Sequence, residues 1–224
     1  MHIATRVYCA TVIGAGALSV LAGICCFRTS DPFRLVAWVV AAILLAGVKL
    51  RIPGMPVTVA GSLVIMIAAI LRLGFGEVTL IGSAIGLAQS FVNARKRPKL
   101  IQVAFSIAVL DVTAGLCLLF VGAVRAVPLN WFGFGLVILG LGVTFFLVNT
   151  ILIAGIISLT ENKTVTNVWT TLYSWSLPHY IAGGLLGGIL GRSSVSPPGY
   201  IPLAVVTLAF LLYSSMHQRL LILK

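Results

Sequence analysis

Acidic residues are scarce in this chain. Only 4 Asp and Glu stand against 15 Lys and Arg in 224 residues. The three histidines, His2, His179 and His217, are dispersed. No paired carboxylates, no His-x-x-x-His and no glycine-rich phosphate loop with a following Lys occur, so the chain carries little material for metal or phosphoryl chemistry. The four cysteines, Cys9, Cys25, Cys26 and Cys117, lie in apolar runs without zinc-ligand spacing. They read as small buried hydrophobes. These absences predict a protein that is not an enzyme and holds no metal or cofactor. Charge of either sign is also low, at 8% of residues, where a water-soluble domain has about 25%. A formal net charge of +11 would suggest nucleic acid in a soluble chain. Here there is no extended basic tail and no basic-aromatic face, so no nucleic-acid partner is expected.

Hydrophobic residues make up 60% of the chain, in eight apolar stretches separated by short polar breaks. A spanning helix needs about 20 such residues. The stretches predict helices over about 7–27, 35–48, 57–73, 77–92, 100–124, 131–159, 177–191 and 200–216. The breaks carry Pro32, the rigid turn Ile52–Pro56, the tight turn Gly74–Glu77, the basic cluster Asn93–Lys99, Pro128, the polar run Glu161–Asn167 and Ser193–Gly199. The expected fold is all-α: one integral membrane domain over residues 1–224, a polytopic bundle of about eight transmembrane helices. The second stretch is short, and if it is re-entrant the number becomes seven. Arg6 and the apolar run behind it resemble a signal peptide, but no cleavage site follows, so the segment reads as an uncleaved first helix.

Lys and Arg set the orientation. With the N-terminus in the cytoplasm and eight alternating helices, the inner side holds Arg6, Lys49, Arg51, Arg95, Lys96, Arg97, Lys99, Lys163, Arg219 and Lys224. The outer side holds Arg28, Arg34, Arg72, Arg125 and Arg192. This is the positive-inside bias, and it predicts a multi-pass inner-membrane protein with both termini cytoplasmic. The lipid bilayer is its first partner, with the basic breaks at headgroup level.

Lipid gives no hydrophobic drive for helix association, so small residues that allow close approach matter. Gly82 and Gly86 form one such pair, and Gly183, Gly187 and Gly191 form a run with Gly184 and Gly188 beside it. The expectation is tight internal packing, with a homodimer face as the alternative.

Asp111 is the one acidic residue deep inside a predicted span. At a 1.5 Å rise it lies roughly 16 Å from Leu100, near the bilayer centre. A carboxylate there should be protonated, paired or wetted. Ala104, Ala108 and Gly115 fall within about 60° of it around the helix, and Gln102, Ser106 and Thr113 fall on roughly the opposite side. Asn149 lies roughly 15 Å deep on the next helix, and an Asp111–Asn149 hydrogen bond is expected. The run Trp169–Tyr180 places Trp169, Trp175 and Tyr180 beside His179 and Pro178. It reads as a headgroup-level anchor or as the lip of a site for an amphipathic ligand. Asp111, Asn149, Trp169, Trp175, His179 and Tyr180 are thus the candidate ligand-binding residues.

Several segments together resemble the membrane-embedded MASE-type sensor regions that precede diguanylate cyclase, HD-GYP phosphodiesterase or histidine kinase modules in bacterial signalling proteins. They are Lys49–Gly54, Ala94–Lys99, Gln102–Ser106, Phe146–Thr150, Leu159–Lys163 and Val168–Tyr180. The resemblance covers about residues 35–216. It implies a sensory or anchoring domain that passes a stimulus to a cytoplasmic signalling partner through its C-terminal helix. Those proteins continue into an output module, whereas this sequence ends at Lys224, so the output is expected to be lost or supplied in trans. Chain length, glycine-rich packing and a midplane Asp also suit a small-solute transporter or a substrate-binding membrane subunit.

Overall fold

The computed structural model describes residues 3–47, 49–51, 58–92, 97–124 and 130–193. Eight α-helices appear among them: α1 (Ile3–Cys25), α2 (Pro32–Gly47), α3 (Ser62–Arg72), α4 (Phe75–Phe91), α5 (Leu100–Ala123), α6 (Trp131–Glu161), α7 (Val165–Leu172) and α8 (Leu177–Ser193). A 3-10 turn, Ser174–Ser176, joins α7 to α8. Two short strands, β1 (Lys49–Arg51) and β2 (Thr58–Ala60), pair antiparallel with Leu50 opposite Val59.

Local chemistry sets several helix ends. Asp31 Oδ1 accepts the Arg34 N–H at 3.0 Å, and Pro32 behind it opens α2 with its φ already fixed. Asn130 Oδ1 accepts the Gly133 N–H at 2.7 Å and starts α6. Asn162 ends α6 at φ 57°, a left-handed conformation that Asn tolerates better than most residues. The Thr164 hydroxyl then accepts from Asn167 N at 3.4 Å, so the chain re-enters helix after three residues.

Three helices, α1, α5 and α6, are long and apolar enough to cross a membrane. Their outward faces carry exposed Leu18, Leu21, Leu119, Leu136 and Ile151. Such a surface suits lipid, where apolar side chains need no further cover. The eight-span expectation is met only in this coarser form. Helix α3 has 11 residues and is roughly 16 Å long, too short for a hydrocarbon core of about 30 Å. Its predicted start at residue 57 is corrected to Ser62, because residues 58–60 pair with β1 instead of coiling. The polar run after residue 161 is corrected as well: its second half forms α7. The predicted helix over 200–216 lies outside the described residues, as do the turn 52–57 and most of the basic cluster 93–99.

Every residue of α3 from Ser62 to Ile70 is buried. A helix apolar on all faces is stable only when neighbours surround it, and α2, α4, α5 and α8 do so here. Helix α8 reaches it through glycine. A Cβ placed at Gly187 would lie 2.7 Å from the Val64 carbonyl oxygen and 2.8 Å from Ile67 Cβ. Gly184 meets Gly142 of α6 on the other flank. The glycine run therefore packs α8 internally, between α3 and α6.

Two of the cysteines depart from the buried expectation. Cys9 and Cys117 are buried, but Cys25 and Cys26 are exposed where α1 ends.

Candidate ligand cavity

Among the described residues the helices enclose a cavity of about 660 Å³. Its size is typical of a site for a small organic molecule. Helix α3 contributes Ser62, Leu63 and Met66, and α4 contributes Ile85 and Gln89. From α5 come Gln102, Phe105, Ser106, Val109 and Leu110, with Lys99 just before its first turn. Phe145, Asn149, Ile153, Ile156 and Thr160 line it from α6. Tyr173, Ser176 and Tyr180 close it from the turn and helix that lead to the C-terminal segment.

Polar groups sit at two levels. At one end Lys99, Gln102 and Thr160 are exposed, and the Gln102 side chain accepts the Lys99 N–H at 3.0 Å. Further in, two hydrogen-bonded pairs face the hollow. Gln89 Nε2 donates to Ser62 Oγ at 3.0 Å, between α4 and α3. Asn149 Nδ2 donates to Tyr180 Oη at 3.1 Å, between α6 and α8. The floor is apolar and buried: Leu63, Met66, Ile85, Val109, Leu110 and Phe145.

The Tyr173 phenol belongs to this rim. Burial, with Tyr180 beside it, pushes its pKa up to about 12. It therefore stays a neutral hydroxyl through the physiological range.

The structure separates the six predicted ligand residues. Asn149 and Tyr180 line the cavity and bond to each other. Trp169 stands behind them: its Nε1 donates to Thr150 Oγ1 at 2.9 Å, and its ring lies 5.6 Å from that of Phe146. Phe146 also meets Tyr180 edge-on at 5.2 Å. This aromatic cluster fixes α7 and α8 against α6. Trp175 and His179 pack edge-to-face at 5.9 Å, outside the cavity wall.

Asp111 is placed elsewhere, and the expected bond to Asn149 does not form. Its Oδ2 accepts from Ser83 Oγ of α4 at 2.8 Å. Gly82 explains the choice of neighbour, since a Cβ there would collide with Asp111 Oδ1. The missing side chain lets α4 approach α5 on the small-residue face. The opposite face of α5, carrying Gln102 and Ser106, is the one that looks into the cavity. That polar face is legible in the helical periodicity of α5. Lys99 and Tyr173 lie in the basic cluster and the aromatic run of the sequence, whereas Ser62 and Gln89 carry no comparable signal, because the cavity is assembled from helices distant in sequence.

Compared with known proteins, the chain matches no family, no curated protein and no solved structure. Among the described residues no group of three or more His, Cys, Asp or Glu comes together. The chemistry on offer in the cavity is hydrogen bonding, one basic side chain and apolar contact.

Proposed function

We propose that this chain is a ligand-binding sensory domain of a bacterial signalling system, embedded in the inner membrane. One observation carries the reading: the cavity is walled in part by Tyr173, Ser176 and Tyr180, which belong to the segment leading into the C-terminal part of the chain. A ligand that touches them changes the packing of α8 against α6. It acts on the Asn149–Tyr180 bond and on the glycine contacts that seat α8 on α3. The displacement then passes to the C-terminal segment and to a cytoplasmic partner. Differential contact of a ligand with two packings is what a population shift requires.

The likeness of Lys49–Gly54, Ala94–Lys99 and Val168–Tyr180 to MASE-type sensor regions supports the same reading. The arrangement proposed with it is a multi-pass bundle of transmembrane helices with both termini inside. In it α3 is a short element enclosed by its neighbours.

Native mass spectrometry of gently extracted protein tests the proposal. A retained small molecule that is lost from the cavity-filling variant Val109→Trp is the expected result. Accumulation of a solute by proteoliposomes would overturn sensing in favour of transport, the second reading that an internal cavity allows.

A further inference from the structure

The polarity of the cavity narrows the ligand class, on the reading that the cavity is a ligand site. Among the described residues its wall contains one basic residue, Lys99, and no acidic residue. A cationic ligand would meet no counter-charge. Lys99 sits at the exposed end with Gln102 and Thr160, while the other end is closed by Leu63, Met66, Leu110 and Phe145. The hollow is also long. From Phe145 to Thr160 it follows α6 for roughly 22 Å at 1.5 Å per residue. A volume of about 660 Å³ over that length gives a mean cross-section of about 30 Å², room for one hydrocarbon chain lying along the helices.

A slot of that shape, apolar at its floor and basic at its mouth, matches an amphiphile with one chain and an acidic head. We infer that the cavity binds a single-chain carboxylic acid amphiphile of the fatty-acid class, its carboxylate at Lys99 and its chain along α5 and α6 toward Phe145. The Ser62–Gln89 and Asn149–Tyr180 pairs lie beside the chain, where they can bond a hydroxyl or keto oxygen on it. The carboxylate at Lys99 makes a charge-assisted contact at the mouth, and apolar burial supplies the remainder of the affinity. One chain of a bilayer phospholipid shares the apolar part of this chemistry but brings a second chain and a bulkier head.

Binding of cis-parinaric acid to the whole protein in phosphatidylcholine nanodiscs, read by its fluorescence, tests the inference. The methyl ester and a parinaroyl phosphatidylcholine serve as comparators. Saturable binding of the acid is expected, about tenfold weaker in Lys99→Met. Lys99 is exposed, so this variant keeps the fold. The acid is expected to outcompete the ester, and the phospholipid is expected not to bind. Val109→Trp on the buried floor, and Ile156→Trp on the half-buried facing wall, should each abolish binding. Ile156→Trp remains informative if the first variant fails to fold. Equal binding of acid and ester, or an unaltered Lys99→Met, overturns the acidic-head assignment while the cavity stands as a ligand site. Binding only of the phospholipid makes the slot a bilayer-lipid crevice and also overturns the inference. Acid binding that survives both tryptophan variants removes the cavity itself as a site, and the proposed function falls with it.

Discussion

Asn149 of α6 donates its side-chain amide to the phenol oxygen of Tyr180 of α8 across 3.1 Å. The bond joins the longest helix to the one that leads into the C-terminal part of the chain, and it does so in the cavity wall. Tyr180→Phe removes the acceptor and keeps the ring that packs on Phe146. Interhelical hydrogen bonds in membranes contribute about 0.6 kcal/mol on average and up to about 1.7. A loss in that range is expected from chemical unfolding in mixed micelles. The double variant with Asn149→Ala should lose less than the two single losses added together.

Asp111 and Ser83 should behave as a second coupled pair. Ser83→Ala and Asp111→Ala are each expected to destabilise by about 1–2 kcal/mol, because the first strips the buried Asp111 carboxyl of its donor and the second takes the acceptor from the half-buried Ser83 hydroxyl. A double-mutant cycle should give a clear coupling energy for Ser83 with Asp111. The Asp111 and Asn149 changes should be additive within about 0.5 kcal/mol, since the two residues face different helices. Additivity in the first cycle would show that the α4–α5 bond is not made.

Glycine at 187 is a steric requirement. Gly187→Ala drives a methyl group into the Val64 carbonyl and Ile67, and a loss of about 1–3 kcal/mol is expected for such overpacking. At Gly14 an added Cβ meets nothing within 4 Å. Gly14→Ala should therefore change stability by less than about 0.5 kcal/mol. Thermal unfolding of the two variants side by side checks the contrast.

The Tyr173 phenol titrates late. Its pKa is raised from 10.0 to about 12, so the folded protein holds this proton where the unfolded chain has released it. Its contribution to stability is fully present below about pH 10 and is lost as pH rises toward 12. In a tyrosinate absorbance titration, the increment missing from Tyr173→Phe should fall near pH 12. An increment centred near pH 10 would place the phenol in water.

Much of the helical plan was legible because hydrophobic run length is a one-dimensional property. Helices α1, α5 and α6 begin and end within a few residues of their predicted bounds. The hairpin before α3 was not legible. A run such as Val57–Arg72 is apolar enough for helix or strand, and only pairing with Lys49–Arg51 decides between them. Helix α7 was missed for a related reason. Eight residues rich in Thr and Asn read as loop, and their helix depends on Trp169 docking against Phe146 and Thr150.

The site shows the same division. Its aromatic wall was partly visible, since Tyr180 and Asn149 are unusual residues in apolar surroundings. The partner of each was not visible. Asp111 and Asn149 match in depth on adjacent helices, which made a bond between them reasonable. Yet depth along a helix says nothing about the direction in which a side chain points toward its neighbours.

The sequence by itself determined that this protein has helices long and apolar enough to cross a membrane, and that glycine would let some of them touch. Those properties follow from composition and spacing, because burying backbone polar groups in hydrocarbon leaves the helix as the main option. Only the tertiary structure decided that Asp111 turns to Ser83, that α3 is enclosed on every side, and that Gln102, Asn149 and Tyr180 share a hollow. Those outcomes depend on which helix faces meet, and that is fixed by close packing among residues far apart in the chain.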